Sequence, residues 1–379
     1  MTVTADAASD MFESSARTKH RAVDLDGHFV EPASLWEEYL PKQHRDWAPR
    51  MIPDSLGRMR YVIGDEALPY VAWAGPQFEQ SPIEMGEKPP EGSGSDPSVR
   101  LAVMDAEGVD VHIMYPTIGL HFGAVENIEA LTVLCRAYND WANDFCSAAP
   151  DRLVAHALLP QRSVTETRRE IDRTVGQLGM RAVFLRPNPL GRQLEDPAWE
   201  PVWSQIEDYD VPLGIHEGTG PVFPRLGSDR TDNFMFEHAM SHPFEHMAAM
   251  MSFIGGGILE RHPNLRVSFA EAGCGWVPYW LERLDDHAAQ YSYRAVNLSL
   301  RPTEYFQRQC IVTMDSTENR VVPAFVSCLG PDALGWSTDF PHPDHTWKGM
   351  VGQLMDRTDL AEDDKVKIIG ANAARVYKL

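Results

Sequence analysis

The sequence has few features of a secreted or membrane protein. Its five cysteines, at positions 135, 146, 274, 310 and 328, are odd in number and scattered, with no CxxC pair. This pattern predicts reduced thiols in a cytoplasmic protein, because a disulfide framework uses paired cysteines. The first residues, MTVTADAASDMFESS, lack the basic head and apolar run of a signal peptide. The longest apolar stretch, residues 247–259, contains three glycines and is too short to span a membrane.

Positive charge is also scarce. Thirty-four Lys and Arg residues stand against 55 Asp and Glu residues, which leaves a net charge of -21. Such a surface repels phosphate backbones and anionic lipid, so we expect neither a nucleic-acid partner nor a membrane partner. A negatively charged substrate would need a local positive centre, such as a metal ion or a placed arginine.

The chain has no internal repeat and no GxGxxG motif after its first apolar run. It does contain eight short, β-branched apolar runs with helix-length segments between them: residues 23–29, 109–115, 153–159, 182–186, 211–216, 265–271, 310–315 and 333–339. Eight strands that alternate with helices predict an α/β fold, a (β/α)8 TIM barrel. A doubly wound open sheet is the alternative. Polar residues at the ends of many different strands, and not at one crevice, favour the barrel.

The domain organisation follows from this pattern. Residues 1–20 are polar and aperiodic and are interpreted as an N-terminal arm, and residues 21–379 as a single barrel domain. A long insertion separates the first strand from the second, and much of it is rich in Pro, Gly, Ser and acidic residues. We interpret residues 42–98 as a lid over the carboxyl-terminal face of the barrel, where active sites form.

Histidines and carboxylates recur at the predicted strand ends. Alternation along the first strand puts Asp24, Asp26 and His28 on one face. The fifth strand ends in His216, the sixth at Glu271 and the eighth in Asp339. In a barrel, Asp26, His28 and these three residues would lie at one mouth. Buried ionisable groups are costly unless something binds them, and these ligand types with open positions predict a catalytic divalent metal site.

Five segments make a family resemblance specific: DLDGHFVEP, IHEGTG, IGGGILERHPNLRVSFAEAGCGWVPYWLERLD, STDFPHPD and IIGANAARVYKL. With these the chain resembles the amidohydrolase superfamily, in the branch of the aminocarboxymuconate-semialdehyde decarboxylase-like proteins. The resemblance extends over nearly the whole chain from Val23 onward. It implies that Asp26, His28, His216 and Asp339 ligate the metal, and it implies a homodimer.

Two departures from the family pattern affect the metal and the chemistry. The first-strand pair is Asp26-x-His28 in place of the commoner His-x-His, which favours Fe or Mn, although Zn also fits. At the sixth strand Glu271 stands where the decarboxylases often have a catalytic histidine. Glu271 is therefore a candidate acid or base, or a ligand of a second metal together with His246.

Two further residues are candidates for catalysis. His238, His242 and His246 would share one helix face, but Pro243 predicts that the helix begins there, which places His246 in its first turn. His246 is then a candidate general acid or base. We expect His242 to contact the metal ligands without binding the metal itself. Arg186, at the end of the fourth strand, is a candidate for binding a carboxylate or oxyanion, with a salt bridge inside the barrel as the alternative.

The leading hypothesis is a metal-dependent hydrolase, an esterase or thioesterase acting on a bulky apolar acyl compound or one cleaved at a C–C bond. Metal-activated water would attack the acyl carbon, and Asp339 would accept its proton. The first alternative is a metal-dependent non-oxidative decarboxylase of an aromatic or vinylogous carboxylic acid. The second is a non-catalytic barrel that acts as a binding protein.

Overall fold

The computed structural model of the protein describes residues 18–55, 57, 59–70, 89–189, 192–218, 226–231, 233–291, 296–315, 317–342 and 348–379. Most of the predicted arm (residues 1–17) and the centre of the predicted lid (residues 71–88) lie outside the described residues. The arm and the lid therefore remain predictions.

Within the described residues, eight strands form one parallel sheet and three form a separate antiparallel sheet. In chain order the strands are β1 (Val23–His28), β2 (Arg50–Pro53), β3 (Met59–Ile63), β4 (Glu66–Tyr70), β5 (Val111–Tyr115), β6 (Leu153–Leu158), β7 (Ala182–Leu185), β8 (Leu213–His216), β9 (Val267–Ala270), β10 (Cys310–Met314) and β11 (Leu334–Trp336). The parallel sheet has the order β1-β5-β6-β7-β8-β9-β10-β11. The predicted TIM barrel is confirmed.

The barrel closes at a seam between its first and last strands. The His28 backbone N–H donates to the Phe340 carbonyl at 2.7 Å, and the Asp339 N–H donates to the Asp26 carbonyl at 2.7 Å. Gly27 pairs with Phe340 in a parallel bridge. The seam therefore joins the two segments that carry the predicted ligands Asp26, His28 and Asp339.

Helices alternate with the barrel strands, as the spacing of the apolar runs predicts. They are α1 (Ala33–Tyr39), α2 (Pro97–Glu107), α3 (Ile128–Cys146), α4 (Val164–Ile171), α5 (Glu200–Asp208), α6 (Phe234–Ile254), α7 (Ile258–Arg261), α8 (Val277–Gln290), α9 (Pro302–Gln309), α10 (Val321–Leu329), α11 (Met350–Met355), α12 (Glu362–Val366) and α13 (Asn372–Tyr377). Side-chain caps explain several starts: Asp96, Asn127, Ser163 and Asn233 each accept a backbone N–H of the first turn.

Helix α6 begins nine residues earlier than Pro243 predicts. It runs through Pro243 from a start at Phe234, where the Asn233 side chain accepts the Met235 N–H. The Ser241 hydroxyl donates to the His238 carbonyl at 3.2 Å, close to the turn in which proline lacks a donor. The predicted helix start is therefore wrong, because the N-cap is Asn233 and the helix continues through Pro243.

The insertion after β1 contains the small antiparallel sheet β2-β3-β4. Tyr61 of β3 is buried, and its ring lies 6.4 Å from that of His121, in the turn that follows β5. Glu66 of β4 accepts the Glu126 backbone N–H at 3.1 Å. These contacts hold the sheet beside the loop after β5, at the carboxyl-terminal end of the barrel.

None of the helices in the described residues has the length and apolar character needed to cross a membrane.

Candidate metal centre

Three strand ends bring four ligand-type side chains to the mouth of the barrel. Asp26 and His28 lie on β1, His216 is the last residue of β8, and Asp339 follows β11. All four are buried, with at most 3% of each residue exposed. The structure therefore brings the four predicted ligands of a first metal together.

Gly27 and a register shift shape this end of β1. A Cβ on Gly27 would lie 2.8 Å from the His112 ring, so a side chain there would displace His112. The β1–β5 register shifts between Asp24 and Gly27. Asp24 does not join the other ligands: its carboxylate bonds the His112 ring at 2.6 Å and the Thr338 hydroxyl. The expectation that Asp24, Asp26 and His28 act together is therefore wrong for Asp24, whose carboxylate is bound by His112 and Thr338.

The ligand atoms are spaced as neighbours around an ion. His28 Nε2 lies 3.1 Å from His216 Nε2, 3.1 Å from Asp339 Oδ1 and 3.5 Å from Asp26 Oδ1. His216 Nε2 lies 3.4 Å from Asp26 Oδ1 and 2.9 Å from Glu271 Oε2. Ligand atoms about 2.0–2.2 Å from one cation are separated by roughly 3 Å, so Asp26, His28 and His216 have metal-ligand spacing. Asp339 has this spacing with His28.

Backbone carbonyls determine which nitrogen of each ring faces the centre. His28 Nδ1 lies 2.9 Å from the Pro116 carbonyl, and His216 Nδ1 contacts the Glu217 carbonyl. A carbonyl only accepts, so each Nδ1 carries a proton. In the neutral rings both Nε2 lone pairs therefore point at the same place. This is the orientation that outer hydrogen bonds impose on metal-binding histidines.

The electrostatics of the four groups also fit a cation. Burial raises the pKa of Asp26, but His216 and His28 outweigh it and lower this pKa to about 2. Burial lowers the pKa of His216, but Asp26 and Glu271 outweigh it and raise this pKa to about 9. Neither carboxylate oxygen of Asp26 accepts a hydrogen bond from the described residues. Without a metal, protons on the imidazole rings balance the charge of the buried carboxylate. A metal ion can take the place of these protons.

Two candidate residues have strained backbones. Glu271, directly after β9, has φ 56°, and Asp339 has φ 57°. A side chain in the left-handed region costs about 1–3 kcal/mol, and such residues cluster at functional sites. The strain accompanies side chains that point into the centre.

Glu271 links the centre to helix α6. Its Oε2 lies 2.9 Å from His216 Nε2, and its Oε1 lies 3.5 Å from His242 Nε2. His238, His242 and Glu271 form a second group with metal-ligand spacing. His242 Nε2 is buried and makes no hydrogen bond with the described residues. The structure therefore pairs Glu271 with His242.

His246, the residue expected beside Glu271, is not brought to it by a described contact. Its ring nitrogens face two backbone carbonyls, that of His242 at 2.8 Å and that of Ile215 at 3.2 Å. Burial lowers the pKa of His246 to about 4. Because α6 begins at Phe234, His246 lies in mid-helix. His242, one turn earlier, is the histidine that reaches Glu271.

Arg186 forms the internal ion pair that the sequence left as its alternative. Its guanidinium is buried and donates to Glu217 Oε1 at 2.6 Å, to the Leu120 carbonyl at 2.8 Å and to the Gly218 carbonyl at 2.9 Å. These bonds join the loops after β5, β7 and β8. The described contacts of Arg186 are thus within the protein.

His342 was not among the site residues predicted from the sequence. Its Nδ1 lies 2.9 Å from Asp339 Oδ1, and its Nε2 lies 2.9 Å from the Thr117 hydroxyl. Buried Glu31 holds the same loop by accepting the N–H groups of Thr117, Ile118 and Gly119. The available signals were the histidine three residues after Asp339 and the glutamate three residues after His28.

Comparison with known proteins gives a family match along almost the whole chain. Residues 23–379 match the amidohydrolase family. The 2-amino-3-carboxymuconate-6-semialdehyde decarboxylase of Dictyostelium discoideum is 26% identical over 73% of this chain and 75% of its own. The gamma-resorcylate decarboxylase of Rhizobium radiobacter is 28% identical over 74% of this chain and 86% of its own.

Solved structures share the fold. An amidohydrolase from Mycobacterium avium superposes with a TM-score of 0.77 at 21% identity, covering 96% of this chain and 99% of its own. A 5-carboxyvanillate decarboxylase from Novosphingobium aromaticivorans, complexed with manganese and 4-hydroxy-3-methoxy-5-nitrobenzoic acid, superposes with a TM-score of 0.68 at 21% identity. That match covers 97% of this chain and 99% of the decarboxylase.

These relatives overturn the predicted hydrolase. The curated relatives described above remove a carboxyl group, and none of them is an esterase or thioesterase. The hydrolase hypothesis rested on an inventory of four catalytic candidates, Asp339, Glu271, His246 and Arg186. The inventory was incomplete, because the structure brings His242 to Glu271 and His342 to Asp339.

Proposed function

The chain belongs to the amidohydrolase family of metal-dependent enzymes, and from that premise we propose that it is a non-oxidative decarboxylase of a small aromatic carboxylic acid. The observation that supports this proposal is the proximity of Glu271 and His242, 3.5 Å apart beside the buried ligand set, where the two would transfer a proton. The decarboxylase relatives support the choice of reaction.

Asp26, His28, His216 and Asp339 would hold a divalent cation. When bound, the metal supplies a positive centre that binds and polarises the oxygen atoms of the substrate. Two carboxylates among the four ligands favour manganese or iron over zinc. The manganese in the 5-carboxyvanillate decarboxylase supports manganese as the first metal to test.

The reaction needs a proton at carbon. When the bond between the ring carbon and the carboxylate breaks, its electron pair remains on the ring carbon and CO2 leaves. That carbon must then receive one proton. Glu271 lies between His216 and His242, so Oε1 and His242 Nε2, 3.5 Å apart, can hold this proton and exchange it.

The position of His242 also answers an objection to a decarboxylase, namely that the chain has Glu271 at the end of the sixth barrel strand. The sequence places a glutamate at a strand end where the decarboxylases often have a histidine. Helix α6 brings the His242 imidazole to 3.5 Å from Glu271 Oε1, with Nδ1 3.1 Å from the Ser241 hydroxyl. Burial, together with the neighbouring His238, lowers the pKa of His242 well below its usual value, so the ring is neutral near pH 7.

The charge of the protein bears on how a carboxylate substrate would be held. The chain carries a net charge of -21, so an aromatic carboxylate must be attracted locally. Arg186 donates to Glu217 and to two backbone carbonyls, so we assign the attraction of substrate oxygens to the metal and not to Arg186.

The test uses the full chain, stripped of metal by a chelator and reloaded with Mn²⁺. It is offered hydroxylated benzoic acids and, as matched controls, their methyl esters. We expect metal-dependent CO2 release from free acids only, with one solvent deuterium on the vacated ring carbon in D2O. Glu271→Gln and His242→Gln should each lower kcat by about 10²–10⁴-fold, the usual contribution of a general acid–base group, while Mn²⁺ binding persists.

Two outcomes would reject the proposal. One is consumption of the esters with oxygen from labelled water in the product. The other is addition of water to a substrate double bond without CO2 release.

A further inference from the structure

The strained residue Asp339 lies at the centre of a turn that the preceding residue closes. The Thr338 hydroxyl oxygen accepts the Phe340 backbone N–H at 3.2 Å, so one hydrogen bond spans Asp339. Asp339 itself has φ 57°. This left-handed conformation is unfavourable for a residue with a side chain and persists only where the surrounding structure holds it. The Thr338 hydroxyl is therefore placed to hold it.

Asp24 anchors this turn to strand β1. The Thr338 hydroxyl donates its hydrogen to Asp24 Oδ2, and the Thr338 backbone N–H donates to Asp24 Oδ1 at 3.1 Å. The same Oδ1 accepts the backbone N–H of Asp26 at 3.1 Å. Asp24 and Thr338 are both buried, so water does not compete for these bonds. One side chain thus joins the backbone of Asp26 to that of the residue before Asp339.

Asp24 is itself fixed from the side of β5 and helix α2. Arg100 Nη1 can only donate, and it lies 3.1 Å from His112 Nδ1. His112 Nδ1 therefore accepts, and its Nε2 carries a proton and donates to Asp24 Oδ2 at 2.6 Å. A carboxylate has about four acceptor positions, and Asp24 receives four hydrogen bonds. Asp24 is thus fully engaged as an anchor.

We propose that Thr338 is a positioning residue of the metal centre, whose hydroxyl holds Asp339 in the left-handed conformation that directs its carboxylate towards His28. Asp339 Oδ1 lies 3.1 Å from His28 Nε2. Without the hydroxyl, the turn loses its bond to Asp24 Oδ2 and its bond to the Phe340 N–H. Asp339 can then relax to an ordinary backbone conformation, which turns the carboxylate away. The inference rests on the metal site of the proposed function and is independent of its reaction.

The experiment compares two substitutions of Thr338. Thr338→Val keeps the shape of the side chain and lacks the hydroxyl, whereas Thr338→Ser keeps the hydroxyl. The full chain of each is stripped with a chelator and titrated with Mn²⁺ alone in a calorimeter. We expect Thr338→Val to bind Mn²⁺ about 10–100-fold more weakly than the wild type, the usual effect of changing a hydrogen bond behind a metal ligand. Thr338→Ser should bind it almost as tightly as the wild type.

Thr174→Val separates positioning from ordinary stabilisation. The Thr174 hydroxyl, in the turn after helix α4, is buried and donates to the Glu170 carbonyl at 2.7 Å. Its loss therefore also removes a buried hydrogen bond. Both valine variants should lower the urea midpoint of the metal-free protein, and only Thr338→Val should weaken Mn²⁺ binding. Equal Mn²⁺ affinities of Thr338→Val and the wild type would overturn the inference.

If Thr338→Val does not fold, a crystal structure of the Mn²⁺-loaded wild type decides. Asp339 must keep a positive φ, with the Thr338 hydroxyl bonded to Asp24, while its carboxylate lies about 2.0–2.2 Å from the ion. A negative φ at a metal-bound Asp339 would overturn the inference.

These measurements need no substrate, so they distinguish the inference from the proposed reaction. A wild type that binds no Mn²⁺ would reject the metal site and the inference together. CO2 release with equal affinities of the wild type and Thr338→Val would reject the inference alone. Weakened binding by Thr338→Val, in a chain that releases no CO2, would reject the reaction and support the positioning role.

Discussion

Glu245 is a buried carboxylic acid outside the proposed ligand set, and its pKa differs from the ordinary value. Burial and the nearby Glu217 carboxylate raise the pKa of Glu245 to about 7, against the opposing Leu226 N–H and Arg186. An ordinary glutamate titrates near 4.5. Between these values the folded protein holds more protons than the unfolded chain, so stability falls as pH rises.

We therefore expect the Tm of the metal-free protein to decline between about pH 5 and pH 7. Glu245→Gln keeps the oxygen that accepts the Leu226 N–H and should remove part of this decline. Glu282→Gln, an exposed residue of α8, is the control and should keep it. Thermal melts across this pH range measure the difference. Identical slopes in wild type and Glu245→Gln would contradict the assignment.

Arg100 is a second buried charged residue, and its hydrogen bonds are expected to stabilise the fold. It donates to the backbone carbonyls of Ser93 and His28 and lies 3.1 Å from the His112 ring, which in turn binds Asp24. Arg100→Met would leave these carbonyls and Asp24 without their cation. We expect a loss of roughly 3–5 kcal/mol in urea denaturation, the cost of breaking a buried charge network.

The control for Arg100 is Arg169→Met, at an exposed ion pair with Glu166. It should change stability by less than about 1 kcal/mol. Equal effects of the two substitutions would show that the Arg100 network does not stabilise the barrel seam.

At the scale of elements, the strands were predictable and the exceptions have local causes. All eight apolar runs are barrel strands, because β-branched runs of four to eight residues fit a pleated, buried sheet. Helix α6 departs from prediction because Asn233 caps it ahead of Pro243. Strand β1 departs because His112 and Thr338 bind the Asp24 carboxylate, which therefore does not join Asp26 and His28.

Packing inside the barrel gives an element-scale prediction at β8. A Cβ on Gly214 would lie 2.6 Å from the Tyr115 hydroxyl and 2.7 Å from His156 Nε2, two buried groups that are stacked on each other. Gly214→Ala should therefore destabilise the protein by about 1–3 kcal/mol. Gly352→Ala in helix α11 meets only one atom, 3.9 Å away, and should be neutral or slightly stabilising. Urea denaturation of both variants checks this, and a neutral Gly214→Ala would contradict it.

At the scale of the whole molecule, the proposed metal joins the two ends of the sheet. Its ligands come from β1, from β8 and from the segment after β11, and β1 and β11 meet at the seam of the barrel. A cation that binds only the folded state adds about 2.7 kcal/mol at a hundredfold excess over its Kd. Chelation should therefore lower the Tm, and Mn²⁺ should restore it.

The matched variant for this effect is Asp26→Asn, which keeps the shape of the side chain and removes its charge. It should lose the Mn²⁺-dependent rise in Tm and retain less than stoichiometric metal by elemental analysis. An undiminished rise in Asp26→Asn would show that the metal binds elsewhere.

The sequence alone determined the barrel and predicted that Asp26, His28, His216, Glu271 and Asp339 lie at strand ends, because strand periodicity is a local property of the chain. The choice of four of these residues as metal ligands came from the family resemblance. Asp26 and His28 are two residues apart, and His216 and Asp339 each stand where an apolar run ends. It did not determine which side chains surround that set. Thr117 and His342 meet across 225 positions, and His242 reaches Glu271 only because α6 continues through Pro243. Such contacts depend on barrel closure and helix packing, and no local pattern encodes them.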